Sequence, residues 1–212
     1  MTVFLDVLTR NILPIALVAS LGFLLRRRFD VHLSTLTSVV FNILSPCLVF
    51  SALVGSQLPG EELVQLAAFS AISILTIGGL ALALARLLRL DRAATATVLI
   101  VAMFANGGNY GLTLLQLRYG DDGLSRGVVY FVTSTVIFYT LGVLIASLGR
   151  LTWRESLRRM LRVPAFYAAL LAVVVYGLRI PIPAPIMSGI SIAGQGAIPV
   201  MLLILGMQIA DM

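Results

Sequence analysis

Asn106-Gly107-Gly108-Asn109-Tyr110-Gly111 interrupts an apolar segment that extends from about residue 93 to residue 117. Its three glycines each weaken a helix by roughly 1 kcal/mol relative to alanine. Backbone groups freed from a helix, and asparagine amides, are costly in hydrocarbon and persist only where protein or a water-filled cavity satisfies them. We therefore predict a broken helix that presents backbone dipoles and amide side chains to a substrate or an ion.

An alternative interpretation of the same stretch is close helix packing, because Gly107 and Gly111 match the G-x-x-x-G pattern. Packing motifs do not need two flanking asparagines, so the functional interpretation is favoured. The candidate substrate-binding residues of this stretch are Asn106, Gly107, Gly108, Asn109 and Gly111.

The composition places the broken segment in a membrane. Of the 212 residues, 59% are hydrophobic and 11% are charged, whereas soluble domains have roughly 25% charged residues. Several apolar blocks reach or approach the ~18 residues of a membrane span. The sequence predicts an all-α membrane protein of about seven transmembrane helices. The predicted spans are residues 3–25, 33–54, 63–84, 93–117, 127–148, 164–178 and 190–210.

The basic residues indicate topology rather than a nucleic-acid partner. The net charge is +6 and the chain has no lysine, and the arginines form short clusters between the apolar blocks. The loops after spans 1, 3 and 5 contain three, three and five arginines, whereas those after spans 2, 4 and 6 contain none, two and one. The positive-inside rule then places the N-terminus outside a bacterial plasma membrane, with the lipid bilayer as partner.

A second polar position lies in span 2. Pro46 removes the helical hydrogen bond to the carbonyl of Asn42. The freed carbonyl and the side-chain amide of Asn42 could then face the same substrate path. A simple proline kink, with Asn42 bonded to a neighbouring helix, remains an alternative. The pattern recurs in span 7 as Gln195 and Pro199, and the recurrence favours the functional interpretation.

This recurrence is part of an internal repeat. Pro14 and Pro164 lie 150 residues apart, and Pro46 and Pro199 lie 153 apart. Five spans separate the copies, so the second copy enters the membrane in the opposite orientation, as in secondary transporters built from inverted repeats. We predict a first repeat of five helices at residues 1–150 and the first two helices of a second at residues 151–212. Two complete units need roughly 300 residues, so we expect a truncated version of that plan.

The sequence contains no metal-ligand cluster, no nucleophile paired with a base and no phosphate-binding loop. It therefore predicts no enzyme, no metal site and no cofactor.

Three stretches resemble the auxin efflux carrier family. They are the second-span motif at residues 41–51, the broken segment with its continuation at residues 106–114, and the seventh span at residues 199–210. The resemblance extends over essentially all of the chain. It implies ten helices in two inverted five-helix repeats, in which a broken helix 4 crosses a broken helix 9. One departure is Thr113, where the family usually has proline, and this implies a milder break.

The resemblance implies a permease for small organic anions such as carboxylates or auxin-like acids, within the superfamily that includes bile-acid symporters. We predict a secondary transporter of this kind. Two alternatives remain: a sodium-coupled carrier like the bile-acid symporters, and a truncated membrane protein that does not transport. A coupling ion, either a proton or sodium, and a homodimer are left open as partners.

Overall fold

The computed structural model describes residues 8–56, 58–147 and 152–212, and the regular elements within them are helices. Their boundaries follow the apolar blocks of the sequence and the loops between them. The helices are α1 (Leu8–Arg28), α2 (Leu33–Gly55), α3 (Gly60–Leu87), α4 (Arg92–Met103), α5 (107–119), α6 (121–146), α7 (Trp153–Met160), α8 (Pro164–Gly177), α9 (Ala184–Gln195) and α10 (Ala197–Ala210).

Five segments of the described chain are long and apolar enough to cross a membrane, which confirms the all-α membrane class. A sixth qualifies only when α7 and α8 are taken together, and these two helices are bent by 65°. The five segments are Leu8–Arg28, Leu33–Gly55, Gly60–Leu87, Arg92–Ala146 and Ala184–Ala210.

The segment Arg92–Ala146 contains both predicted spans 4 and 5, because the chain turns back within it. Gly120 has a φ of 65° and a ψ of −152°, a conformation that glycine adopts without steric cost. A methyl group at Gly127 would lie 2.6 Å from Cδ1 of Leu115, although in a straight helix these residues are about 18 Å apart. Helices α5 and α6 therefore form a hairpin, and the loop predicted at residues 118–126 is a turn at Gly120.

Two ion pairs join the ends of the helices. Arg26 Nε lies 2.9 Å from Asp211 Oδ1, which connects the C-terminal ends of α1 and α10. Arg126 Nε lies 2.9 Å from Glu62 Oε1 at the opposite end of the bundle. Each pair joins residues that the arginine distribution places on the same side of the membrane. This agrees with an odd number of passes, and the assignment of the cytoplasmic side remains a prediction.

Helix α2 is the centre of the packed core. Val49 of α2, Ala172 of α8 and Ala197 of α10 are fully buried in one apolar cluster. The cluster also includes Leu112 of α5 and Val128 of α6. The core thus holds the broken segment and its hairpin against α2, α8 and α10.

Helices α1 and α10 approach each other at two glycines. A methyl group at Gly22 would overlap the backbone carbonyl of Leu203, and one at Gly206 would overlap the carbonyl of Ala19. Neither overlap is with a flexible side chain, so the two backbones are in direct contact at this crossing.

Helix distortions occur at both predicted amide–proline positions. The turn Val40–Leu44 of α2 is a widened π turn just before Pro46, and Gly196 separates α9 from α10 just before Pro199. A proline cannot donate the usual helical hydrogen bond, which accounts for a local distortion at each site. The inverted arrangement of the repeats remains a prediction, and the predicted boundary between residues 150 and 151 lies outside the described residues.

Candidate functional site

The break in the predicted fourth span lies just before the glycines. Helix α4 ends at Met103, and the backbone leaves the helical conformation at Phe104 (φ −117°, ψ 85°) and at Asn106 (φ −71°, ψ 66°). The helix resumes at Gly107 with a widened π turn to Gly111. The glycines therefore form the first turn of α5 rather than the gap itself.

Asn106 caps this first turn. Its side-chain oxygen Oδ1 accepts a hydrogen bond of 3.2 Å from the backbone N–H of Asn109, which satisfies one of the donors that a helix start leaves open. The Asn106 carbonyl accepts a bond of 3.1 Å from the N–H of Gly111, which closes the wide turn. The polar group predicted for ligand binding at residue 106 therefore also has a structural role.

Thr113 stabilises the same turn from its other end. It is buried, and its hydroxyl Oγ1 donates a 3.2 Å hydrogen bond to the carbonyl of Asn109. A proline here could not make this bond, so the departure from the family pattern adds a contact within the first turn.

The glycines of the turn face aromatic rings of α6. A methyl group at Gly108 would lie 3.0 Å from the ring of Phe131, and one at Gly107 would lie 3.6 Å from the ring of Tyr130. At Gly111 the nearest atom would be the carbonyl oxygen of Asn106, at 3.7 Å. The alternative interpretation of the G-x-x-x-G pattern is close packing against another helix. Gly107 and Gly108 instead face aromatic side chains, and within the described residues these glycines do not contact the backbone of another helix.

A cavity of about 340 Å³ lies beside the break, between the hairpin and helices α2 and α10. None of the described residues that line it is charged. Its polar lining residues are Thr37, Ser45, Asn106, Asn109, Tyr130, Ser134, Thr135, Tyr139 and Gln208. The backbone of Gly107 and Gly108 also contributes to the wall.

Aromatic rings form much of the remaining wall. Phe104 and Phe138 meet edge to face with ring centres 5.1 Å apart, and Phe138 meets Tyr139 in the same way at 5.4 Å. Phe41 and Phe131 also line the cavity. The site thus combines hydrogen-bonding amides and hydroxyls with an apolar aromatic surface, a lining typical of sites for small organic molecules.

Asn42 and Pro46 were predicted to face the same gap, and the structure places other α2 residues there. The α2 side chains that line the cavity include Thr37, Phe41 and Ser45, which follow one another at helical spacing. Asn42 is about 100° further round the helix than Phe41. Its amide donates a 2.9 Å hydrogen bond to the carbonyl of Ser38 within its own helix.

The remaining predicted residues lie elsewhere. Gly111 lines a neighbouring, mostly apolar cavity of about 560 Å³ that also includes Asn106 and Gly107. Gln195 lines a polar cavity of about 300 Å³, together with Ser51, Ser125, Ser191, Gln116 and Asp121. Pro199 is exposed on α10, one turn from Gln195.

Helix α6 contributes side chains to the cavity that were not predicted from the sequence. Tyr130, Phe131, Ser134 and Thr135 all line the 340 Å³ cavity. The sequence pattern that could have indicated them is a pair of hydroxyl residues, Ser134 and Thr135, one helical turn after the aromatic pair Tyr130 and Phe131 in an apolar span. Gln208, a single amide in the apolar α10, was a similar signal.

Two comparisons relate the chain to known proteins. The family described as membrane transport protein matches it in two segments, residues 7–150 and residues 147–212. An uncharacterized transporter of Methanothermobacter thermautotrophicus is 28% identical over 207 residues, which cover 95% of this chain and 68% of the relative. The family match includes the broken segment and the helices that line the cavity.

Proposed function

The chain belongs to the membrane transport protein family, and from this premise we propose that it is a secondary transporter of small organic anions. The transported solute binds in the 340 Å³ cavity beside the break between α4 and α5. The bound anion faces the N-terminal end of α5, where the helix dipole favours negative charge. We place the protein in the plasma membrane with its N-terminus outside, as the arginine distribution predicts.

The observation that supports this proposal most directly is the contrast between the two asparagines of the break. Asn106 uses its side-chain oxygen as the cap of α5. Asn109 lines the cavity and is half-buried, and its side-chain amide has no hydrogen bond to the described residues. A polar amide inside an apolar span favours a partner in the cavity, and a carboxylate accepts from its NH₂ group.

The lining favours a singly charged anion with an apolar body. No arginine or histidine of the part of the chain that the structure describes lines the cavity, so a second carboxylate would lose its hydration without gaining an opposite charge. The aromatic wall instead suits an apolar group attached to one carboxylate. We therefore expect monocarboxylates to bind better than dicarboxylates.

A second cavity supports movement of the solute across the membrane. The polar 300 Å³ cavity includes Gly55, at the end of α2 opposite to Thr37, which lines the first cavity. On α10, Ile198 lines the polar cavity and Met201 lines the 340 Å³ cavity. These two residues are three positions apart, which corresponds to about 4.5 Å along a helix. Two cavities whose lining residues lie toward opposite ends of α2, and close to each other on α10, suit alternating access.

The polar cavity also favours sodium coupling as the second candidate. It contains the carboxylate of Asp121 together with hydroxyl and amide oxygens from Ser191 and Gln195, and its described lining includes no basic residue. Oxygen ligands with one negative charge are suited to a hard cation. The neighbouring carboxylate of Asp122 instead lies 4.0 Å from Arg126.

The test is thermal unfolding of the purified chain with a panel of mono- and dicarboxylates, in sodium and in potassium buffers. A ligand that binds the native state raises the midpoint by mass action. We expect a shift with a monocarboxylate that is lost in Asn109→Ala. The shift should persist in Gln65→Ala, because that amide lies on α3 and donates to Glu61.

Sodium coupling predicts that the midpoint also rises in sodium relative to potassium, and that Asp121→Asn removes this rise while Asp122→Asn does not. Equal midpoints in both buffers would exclude it. If carboxylates bind but proteoliposomes show no flux, the non-transporting alternative is favoured. If a well-folded sample responds to no carboxylate, the proposed solute class is wrong.

A further inference from the structure

Helix α7 does not continue the span that follows it. It is bent by 65° relative to α8, across the break at residues 161–163. A complete capping box fixes its start: Thr152 Oγ1 accepts from the N–H of Glu155 at 3.3 Å, and Glu155 Oε2 accepts from the N–H of Thr152 at 2.7 Å. The helix is therefore a defined element that lies across the end of the bundle.

One side of α7 packs on the protein. Ser156 is fully buried and Met160 nearly so, and the helix contacts the wide turn Phe138–Gly142 at the end of α6. Val163, just after the helix, is buried as well. These contacts fix the rotation of α7 and so determine which side chains face outward.

The outward side of α7, together with its C-cap residue Leu161, is amphipathic. Leu157 and Leu161 follow the buried side around the helix and remain 40% and 47% exposed. Arg154 and Arg158, both exposed, come next, within about 100° of the two leucines at 100° per residue. An apolar strip bordered by arginines is typical of a helix that lies in the membrane interface.

The arginines of this region form no close ion pair with a described carboxylate, although Arg158 and Arg159 interact electrostatically with Glu155 at longer range. Arg154, Arg158, Arg159 and Arg162 are exposed, and none of them takes part in the ion pairs of the described residues. Glu155, the acidic residue among them, is held by the capping box. The guanidinium groups are therefore available to an external anion, and their planar geometry matches a phosphate.

We propose that α7 is a binding surface for anionic phospholipid. Leu157 and Leu161 enter the boundary of the acyl chains, and Arg154 and Arg158 bind the phosphate of an anionic headgroup. Arg159 and Arg162 add to the local positive potential. Because the apolar strip borders the arginines, a lipid fits this surface better than a soluble phosphate, which would leave the leucines exposed to water.

The test is thermal unfolding of the detergent-solubilised chain titrated with short-chain phosphatidylglycerol, phosphatidylcholine or glycerol phosphate. We expect phosphatidylglycerol to raise the midpoint by several degrees and the other two to raise it little. The double variant Arg154→Gln/Arg158→Gln should lose most of this rise. Arg86→Gln/Arg92→Gln, with the same change of charge in another arginine cluster, should keep it.

Three results would overturn the proposal. They are no selective effect of phosphatidylglycerol on the wild-type chain, an equal effect of glycerol phosphate, and an equal loss in both double variants. The first comparison needs no variant, so a variant that fails to fold does not block the test. Leu157→Ser/Leu161→Ser is a second variant, and an unchanged response in it would show that the apolar strip is not part of the surface.

Discussion

Asn106 and Asn109 have the same side chain in the same short stretch, and the structure gives them different roles. Asn106 accepts from the N–H of Asn109 and so caps α5. Asn109 uses only its backbone for the bonds within the turn and leaves its amide in the cavity. Substitutions at the two positions should therefore have separable effects on stability and on ligand binding.

Asn106→Ala removes the cap acceptor and should lower the free energy of unfolding by about 1 kcal/mol. Asn106→Asp keeps an acceptor at the same place and adds a negative charge that suits a helix start, so the stability without ligand should be close to wild type. The same charge repels an anion, and the carboxylate-induced shift should be lost. Thermal midpoints with and without a monocarboxylate measure both effects.

The cap assignment would be contradicted by an alanine variant at residue 106 with wild-type stability. The binding assignment would be contradicted by an aspartate variant that still responds fully to the carboxylate. A matched loss of stability in both variants would mean that the side-chain amide, and not its oxygen, holds the turn.

At the scale of elements, the crossing of α1 and α10 holds one wall of the candidate site in place. Gly22 and Gly206 allow the two backbones to touch, and the Arg26–Asp211 ion pair joins the same two helices at their ends. Helix α10 contributes Met201, Ile204 and Gln208 to the cavity. A change at the crossing should therefore affect both stability and the shape of the site.

Gly206→Ala should destabilise the protein by about 1–3 kcal/mol, because the added methyl group meets a backbone carbonyl that cannot rotate away. Gly79→Ala is the matched control. Gly79 lies in the middle of α3 with open space around the position of a methyl group, so alanine there should stabilise the helix by up to about 1 kcal/mol. Thermal unfolding of both variants in the same detergent shows whether each substitution lowers or raises the stability.

If Gly206→Ala is as stable as wild type, the helices do not approach as closely as the structure has them. If Gly79→Ala is destabilised to the same extent as Gly206→Ala, the loss reflects glycine replacement in general and not the crossing.

At the scale of the whole molecule, the 340 Å³ cavity beside the break (the aromatic cavity) and the 300 Å³ polar cavity lie toward opposite ends of the bundle. Gln208 lines the aromatic cavity near the end marked by Asp211, and Gln116 lines the polar cavity near Gly55, at the other end of α2. The arginine distribution predicts that the first end is cytoplasmic and the second is outside.

Cysteine labelling in whole cells tests this arrangement, because Cys47 is the one native cysteine and can be replaced by alanine. In that background, Gln116→Cys should react with a membrane-impermeant thiol reagent from outside. Gln208→Cys should react only after the cells are opened. Reaction of both from the same side would contradict opposed cavities, and a reversed pattern would contradict the predicted orientation but not the two-sided arrangement.

The properties that depend on local composition could be predicted from the amino-acid sequence alone. Its apolar blocks are too long and too poor in charge for a soluble surface, which established an all-α membrane protein. A break close to Asn106, and helix distortions just before Pro46 and Pro199, follow from asparagine and proline acting on their own backbone. Short sequence motifs likewise predicted a transporter family, and the family match agrees with this.

Which side chains meet at the break depends on tertiary packing and could not be predicted from the sequence. The rotation of α2, fixed by its packing on α8 and α10, directs Phe41 rather than Asn42 into the cavity. The hairpin at Gly120 brings Tyr130 and Phe131 over the first turn of α5. Local sequence specifies where a helix breaks, because the backbone bonds involved are local, whereas the direction each helix face takes depends on contacts between residues distant in the chain.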